Sequence, residues 1–166
     1  DRRDGAIARN LSELYRMTDR PKDALHVLDL SLREGSQDQQ AAFDAGMLAF
    51  RERQFQASLT YLERYESQAG LVPWVNYYRS ISLFELGQYE RALVCVNAER
   101  EVTETDGWHL DVVEAVCWCQ QGRGEESRAV LERRPRARRR QAQAECRRRA
   151  HRLHSSYRFS RRPGRA

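Results

Sequence analysis

Apolar residues recur at spacings of three and four along most of this chain, the mark of helices that bury one face. The pattern is clearest from Trp74 to Arg100, WVNYYRSISLFELGQYERALVCVNAER. Tyr77, Tyr78, Ile81, Leu83 and Phe84 share one side of a first helix, Gly87 interrupts, and Tyr89, Ala92, Leu93, Val96 and Ala98 resume the period. Two short helices cannot bury both apolar faces against each other, so such a unit needs copies of itself alongside. The rest of the chain supplies them. Residues 4–18 predict a first helix with Ile7, Leu11, Leu14 and Tyr15 on its apolar face. Pro21 suits the opening turn of a second helix, which carries Ala24, Leu25, Val27, Leu28 and Leu32 as far as Gly35. Helices over 37–52 and 54–68 follow, the first of them small-sided through Ala41, Ala42, Ala45, Gly46 and Ala49. Pro73 opens a fifth helix, and after the sixth, residues 103–107 connect to a last pair over 108–120 and 125–134.

The copies keep step. Moving back from Ala92 by thirty-four residues reaches Ser58 and then Ala24, and moving forward by thirty-five reaches Ser127. The same walk from Ser80 gives Gly46 and Ser12 behind and Ala115 ahead. All eight positions are Gly, Ala or Ser, types that make up only 38 of the 166 residues, so the coincidence points to a structural period. Four residues after each second-helix small residue stands an aliphatic one: Leu28, Leu62, Val96 and Leu131. Small side chains let two helix backbones approach, and the aliphatic residue one turn on fills the seam beside the contact.

A helix-turn-helix period of this length, with small residues at two fixed offsets, resembles the tetratricopeptide repeat. Leu11-Ser12-x-x-Tyr15 resembles that family's Leu-Gly-x-x-Tyr run, and Gly87 to Leu93 its turn and second-helix opening. The resemblance covers residues 4–134 in four repeats. It departs from the family where Ala8, Ala42, Asn76 and Asp111 replace a Trp, where Ser36, Gly70 and Glu104 replace a closing Pro, and at Arg79. The fold it implies is an all-α solenoid of stacked helix pairs in residues 1–134, with a basic tail over 135–166.

Charge separates body from tail. From Arg133 onward there are 14 Arg and one acidic residue, Glu145, giving about +13, whereas the preceding 132 residues carry about −8. Three readings of the tail stand: a solvated extension; a thin helical stripe of Ala142, Cys146, Ala150 and Leu153 capping the last repeat; and a phosphate-binding segment for nucleic acid or an anionic membrane. No stretch is long and apolar enough to span a membrane. Cys95, Cys117, Cys119 and Cys146 form no CxxC, and buried reduced thiols in a cytoplasmic protein are expected.

Chemistry is sparse. There is no HExxH, phosphate-binding loop or GxGxxG, and His151 and His154 sit among arginines that oppose a cation. The expectation is a protein that is not an enzyme and holds neither cofactor nor metal. The resemblance instead implies a concave groove lined by the first helices, with the second, fifth, ninth, twelfth and thirteenth positions of each repeat facing a ligand. Carried over, these give Arg9, Glu13 and Arg16; Phe43, Met47 and Phe50; Trp74, Tyr77, Ile81 and Phe84; His109, Val112, Val116 and Cys119. The Lys, Asn and Arg set with which one subclass grips a terminal carboxylate is absent beyond Arg9. An apolar partner segment is the expected ligand, and a scaffold or chaperone-like adaptor the expected role. Other readings remain open here: these residues as inter-repeat core, a groove filled by the chain's own tail or a second copy, and a nucleic-acid-associated protein acting through the tail.

Overall fold

The computed structural model describes residues 2–103, 107–133 and 143–148, and every regular element among them is helical. In chain order these are α1 (Arg2–Met17), α2 (Pro21–Arg33), α3 (Gln39–Arg51), α4 (Phe55–Ala69), α5 (Val75–Glu85), α6 (Tyr89–Val102), α7 (Trp108–Gln120) and α8 (Gly124–Glu132), followed by a helical turn over residues 143–148. Each helix packs on the next, while α1 also touches α3 and α5 touches α7. Four antiparallel pairs therefore stack in one direction, with the odd-numbered helices along one wall.

The turn inside each pair is the same object four times. Arg20, Gln54, Gln88 and Arg123 each precede a second helix with ψ between 62° and 68°. Their amides donate to the carbonyls of Tyr15, Ala49, Leu83 and Trp118, five residues back, at 2.8–2.9 Å. The residue before each has positive φ: Asp19, Arg53, Gly87 and Gly122. Only two of the four are glycine, the type that tolerates this region without cost. Arg20 and Arg123 also lie over the equivalent rings of Tyr15 and Trp118, at 4.8 and 4.2 Å.

The small-residue register falls at the helix contacts. Ser12, Gly46, Ser80 and Ala115 are buried, as are Ala24, Ser58 and Ala92, while Ser127 on the final helix is half-buried. Gly46 lies so close to Leu62 that a Cβ would sit 2.7 Å from Leu62 Cδ2, and Ser58 Oγ donates to the Gly46 carbonyl at 3.0 Å. Leu28, Leu62 and Val96 are fully buried in the seams.

Polar ties hold the pairs in order. Asp38 caps α3 by accepting from the Ala41 amide at 3.2 Å. Arg64 donates to the Leu32 and Ser36 carbonyls at 2.9 and 2.6 Å, closing the end of α2 from α4. Arg79 of α5 pairs with Glu66 of α4. Arg100 of α6 spans to Asp111 and Glu114 of α7 at 2.7 and 2.6 Å. Burial opposes its charge, but the two carboxylates outweigh it and raise its pKa.

Several sequence expectations are corrected. Ile7, Leu11 and Leu14 do not face the core: they are 64%, 38% and 59% exposed, because α1 is the first helix of the stack and buries Ala8 and Ser12 instead. The fifth helix starts at Val75, since Pro73 lies in the preceding turn and Trp74 takes a left-handed conformation. Cys95 and Cys117 are buried thiols, but Cys119 is exposed and Cys146 half-buried. In the tail stripe, Ala142, Ala150 and Leu153 lie outside the described residues, as do His151 and His154.

Candidate functional site

The wall formed by α1, α3, α5 and α7 carries a connected line of aromatic side chains. Phe55 at the start of α4 meets Phe50 edge-on at 6.0 Å, and Phe50 meets Tyr78 of α5 at 5.2 Å. Tyr78 touches Tyr77 at 5.4 Å, and Tyr77 meets His109 of α7 at 4.9 Å. Trp74 stacks on His109 at 4.7 Å with 22° between the rings, and Trp108 closes the line at 6.1 Å. Tilted and edge-on contacts at these distances are the arrangements aromatic quadrupoles favour, so the rings brace one another across three first helices.

A carboxylate from the next helix positions the Trp74 end. Glu99 of α6, fully buried, accepts from the Trp74 amide at 2.5 Å, the Tyr77 amide at 3.3 Å and the Thr103 hydroxyl. Its negative charge sits at the N-terminus of α5, where the helix dipole favours it and the first amides lack helical partners. The left-handed turn at Trp74 and the outward pose of its ring, 42% exposed, rest on this cap.

Two hollows flank the aromatic line. One is lined by Arg16, Phe43, Asp44, Met47, Leu48 and Arg51. The other is lined by Phe50, Arg51, Arg53, Phe55, Ile81, Glu85 and, from the tail, Glu145. Arg51 borders both.

The residues expected to line the groove divide into three groups. Phe43, Met47, Phe50, Tyr77 and His109 are half-buried and Trp74 is exposed, so all six present part of their surface. Arg9 is half-buried and tied to Asp38 at 2.9 Å, whereas Glu13 and Arg16 are exposed and pair with each other at 2.5 Å. Ile81, Phe84, Val112 and Val116 are 6%, 1%, 2% and 1% exposed and belong to the core as it stands. Phe84 lies against Tyr89 across the repeat turn, ring centroids 5.7 Å apart. Sequence reasoning missed Arg51, although it stands at the thirteenth position of its repeat, and it missed Tyr78, Phe55 and Glu145, which no repeat position marks. Among the described residues no cluster of His, Cys, Asp and Glu is arranged to hold a metal.

No protein-family model matches the sequence, and no curated protein matches it. Solved structures do match in fold. MamA AMB-1 superposes with a TM-score of 0.69 at 17% identity, over 76% of this chain and 74% of that one. MamA MSR-1 gives 0.66 at 15% identity over 76% of each chain. A further crystal structure of MamA gives 0.66 at 13% identity, over 83% of this chain and 77% of that one. MamA is a tetratricopeptide-repeat protein. This chain has the tetratricopeptide-repeat fold. Identity this low speaks for the fold alone, and one fold of this kind serves many processes. No helix among the described residues is long and apolar enough to cross a membrane.

Proposed function

We propose that this protein is a non-catalytic adaptor of the cytoplasm that binds an apolar segment of a partner protein, in a chaperone-like manner, along the wall built by α1, α3, α5 and α7. One observation carries the reading: the braced aromatic line from Phe50 through Tyr77 to Trp74 and His109 remains partly open to solvent. Rigid, partly exposed aromatic side chains supply large contact area at little entropic cost, which is why such residues dominate binding energy at interfaces. Residues 1–134 then act as the binding domain, with the Arg-rich segment 135–166 following it.

Selection of random peptides displayed on phage against the full chain tests this. Enrichment of apolar sequences that is lost with Phe50→Ala and Trp74→Ala, in variants that still unfold cooperatively, is the expected result. Retention of every selected peptide by both variants would refute the reading. Binding of single-stranded RNA that falls steeply with salt and ignores both substitutions would favour the nucleic-acid alternative, since phosphate contacts release counterions.

A further inference from the structure

We propose that residues 143–148 are a built-in occupant of the groove, seated where a partner helix docks and displaced when one binds. The inference rests on the groove reading above and adds how the groove is regulated and what its partner carries.

The first observation is where the segment lies. Cys146 packs against the cluster around Ile81 and Val116 and also against the one around Val112 and Leu131, its Sγ 3.9 Å from the Val112 carbonyl. Glu145, one residue earlier, enters the hollow of Phe50, Arg51 and Arg53. These contacts reach the groove-facing elements α3, α5 and α7, and the second cluster also includes Val130 and Leu131 of α8.

The second observation is the burial of equivalent positions along the array. At the fifth and ninth positions, Phe43 and Met47 of the second repeat are half-buried. Their counterparts Val112 and Val116 in the fourth repeat, and Ile81 in the third, are 2%, 1% and 6% exposed, whereas Tyr77 in the third stays half-buried. Burial is thus greatest along α7 and at Ile81, the residues of the two clusters that Cys146 joins.

The third is its composition. Glu145 is the one acidic residue among the last 34; it lines the same hollow as Arg51 and Arg53, and its carboxylate also pairs with Arg148 at 3.3 Å.

Being covalently attached, the segment is present at the groove at an effective concentration on the order of millimolar. Even a weak contact then stays occupied, and an incoming partner sees its affinity reduced by the fraction of chains that are open. A competent partner reproduces the same chemistry: a helix with an acidic residue next to a small apolar one.

The test is thiol labelling of the full chain carrying Cys119→Ser, which leaves Cys146 as the one thiol among the four that is partly accessible. The rate of maleimide addition at Cys146, located by peptide mass mapping, is measured in the native chain and in guanidinium, and the ratio is compared between variants. If the segment is seated nine-tenths of the time, the native rate is slower by up to about tenfold, less whatever reaction the half-buried seated thiol allows. Glu145→Arg brings the ratio near one, and Arg51→Glu in that background restores protection. A native rate equal to the unfolded rate would overturn the proposal, and so would protection that Glu145→Arg leaves intact. Peptide capture separates this from the groove reading. With both ideas right, Glu145→Arg strengthens capture about tenfold. Capture unchanged by Glu145→Arg discards the occupant alone, and protection without any capture discards the groove reading alone.

Discussion

Replacing Gly46 by alanine tests the close helix contact on which the repeat register depends. In an isolated helix this change is favourable by about 1 kcal/mol, since glycine loses more backbone freedom on folding. Here the added methyl would meet Leu62 Cδ2 at 2.7 Å and Cγ at 2.8 Å, with the Leu62 amide nitrogen at 3.4 Å. Carbon atoms rest at about 3.5–4.0 Å, so Leu62 or the helix must move. Leu62 is fully buried, and the Ser58 hydroxyl bonded to the Gly46 carbonyl at 3.0 Å fixes the same spot from the α4 side. Overpacking of this kind costs about 1–3 kcal/mol, and two contacts below 3.0 Å put it in the upper part of that range. After subtracting the helix gain, Gly46→Ala should lose about 1–2 kcal/mol. For a body of this size that lowers Tm by about 4–8 °C.

The assay is thermal and urea unfolding followed by circular dichroism, in a double-mutant cycle with Leu62→Ala. That second change alone costs about 2–5 kcal/mol through the cavity it leaves. In the double variant the new methyl occupies part of the cavity, so the pair should couple favourably by about 1 kcal/mol or more. A Gly46→Ala chain that melts higher than the parent, with no coupling to Leu62, would refute the reasoning, because only propensity would then be acting.

Two further perturbations address the site and the core. Glu99→Ala removes the acceptor from the Trp74 and Tyr77 amides and should cost about 1–3 kcal/mol, with faster hydrogen exchange at those two amides. Stability should also fall on the alkaline side: burial, then the 2.5 Å bond to Asp29, raises the Tyr61 phenol above its ordinary 10.0, and burial raises the Cys95 thiol above 9.0. The native chain holds both protons more tightly than the unfolded one, so their contribution is complete below about pH 9 and is lost as pH climbs past 9.0 and then 10.0. Tyr61→Phe with Cys95→Ala should flatten Tm against pH across that window.

The array was legible because its period is written in residue size. Small residues every thirty-four positions are needed wherever two helix backbones touch, and Ser12, Gly46, Ser80 and Ala115 are buried accordingly. The turns were partly legible: Gly87 and Gly122 announce a left-handed residue and Asp19 is a type that tolerates it, whereas Arg53 adopts one without any mark in its chemistry. The apolar face of α1 was misread because periodicity reports that a face is apolar and says nothing about whether a neighbour covers it. Within the site, the partly exposed aromatic residues follow from repeat position. The burial of Val112 and Val116 does not, since it accompanies a segment thirty residues downstream that carries no repeat signal.

The division of charge along the wall bears on how a partner would be oriented. Arg9 is engaged with Asp38, the residue that also caps α3, so releasing it would weaken a helix start. Arg16 pairs with Glu13 at an exposed site, where such pairs contribute about 0–1 kcal/mol and exchange readily with another carboxylate. Arg51 borders both hollows and is exposed between Met47 and Phe50. A ligand acid set there would lie beside, not within, the aromatic line, fixing register while Phe50, Tyr77 and Trp74 supply contact area. Attraction at an exposed arginine acts mainly on encounter and alignment, and desolvation of rings on dissociation. On this division, in a Glu145→Ala background where the tail does not compete, Arg51→Ala should slow association of a selected peptide and leave its release unchanged, whereas Trp74→Ala should leave association unchanged and speed release; the reverse pattern in stopped-flow traces would place recognition on the charges instead.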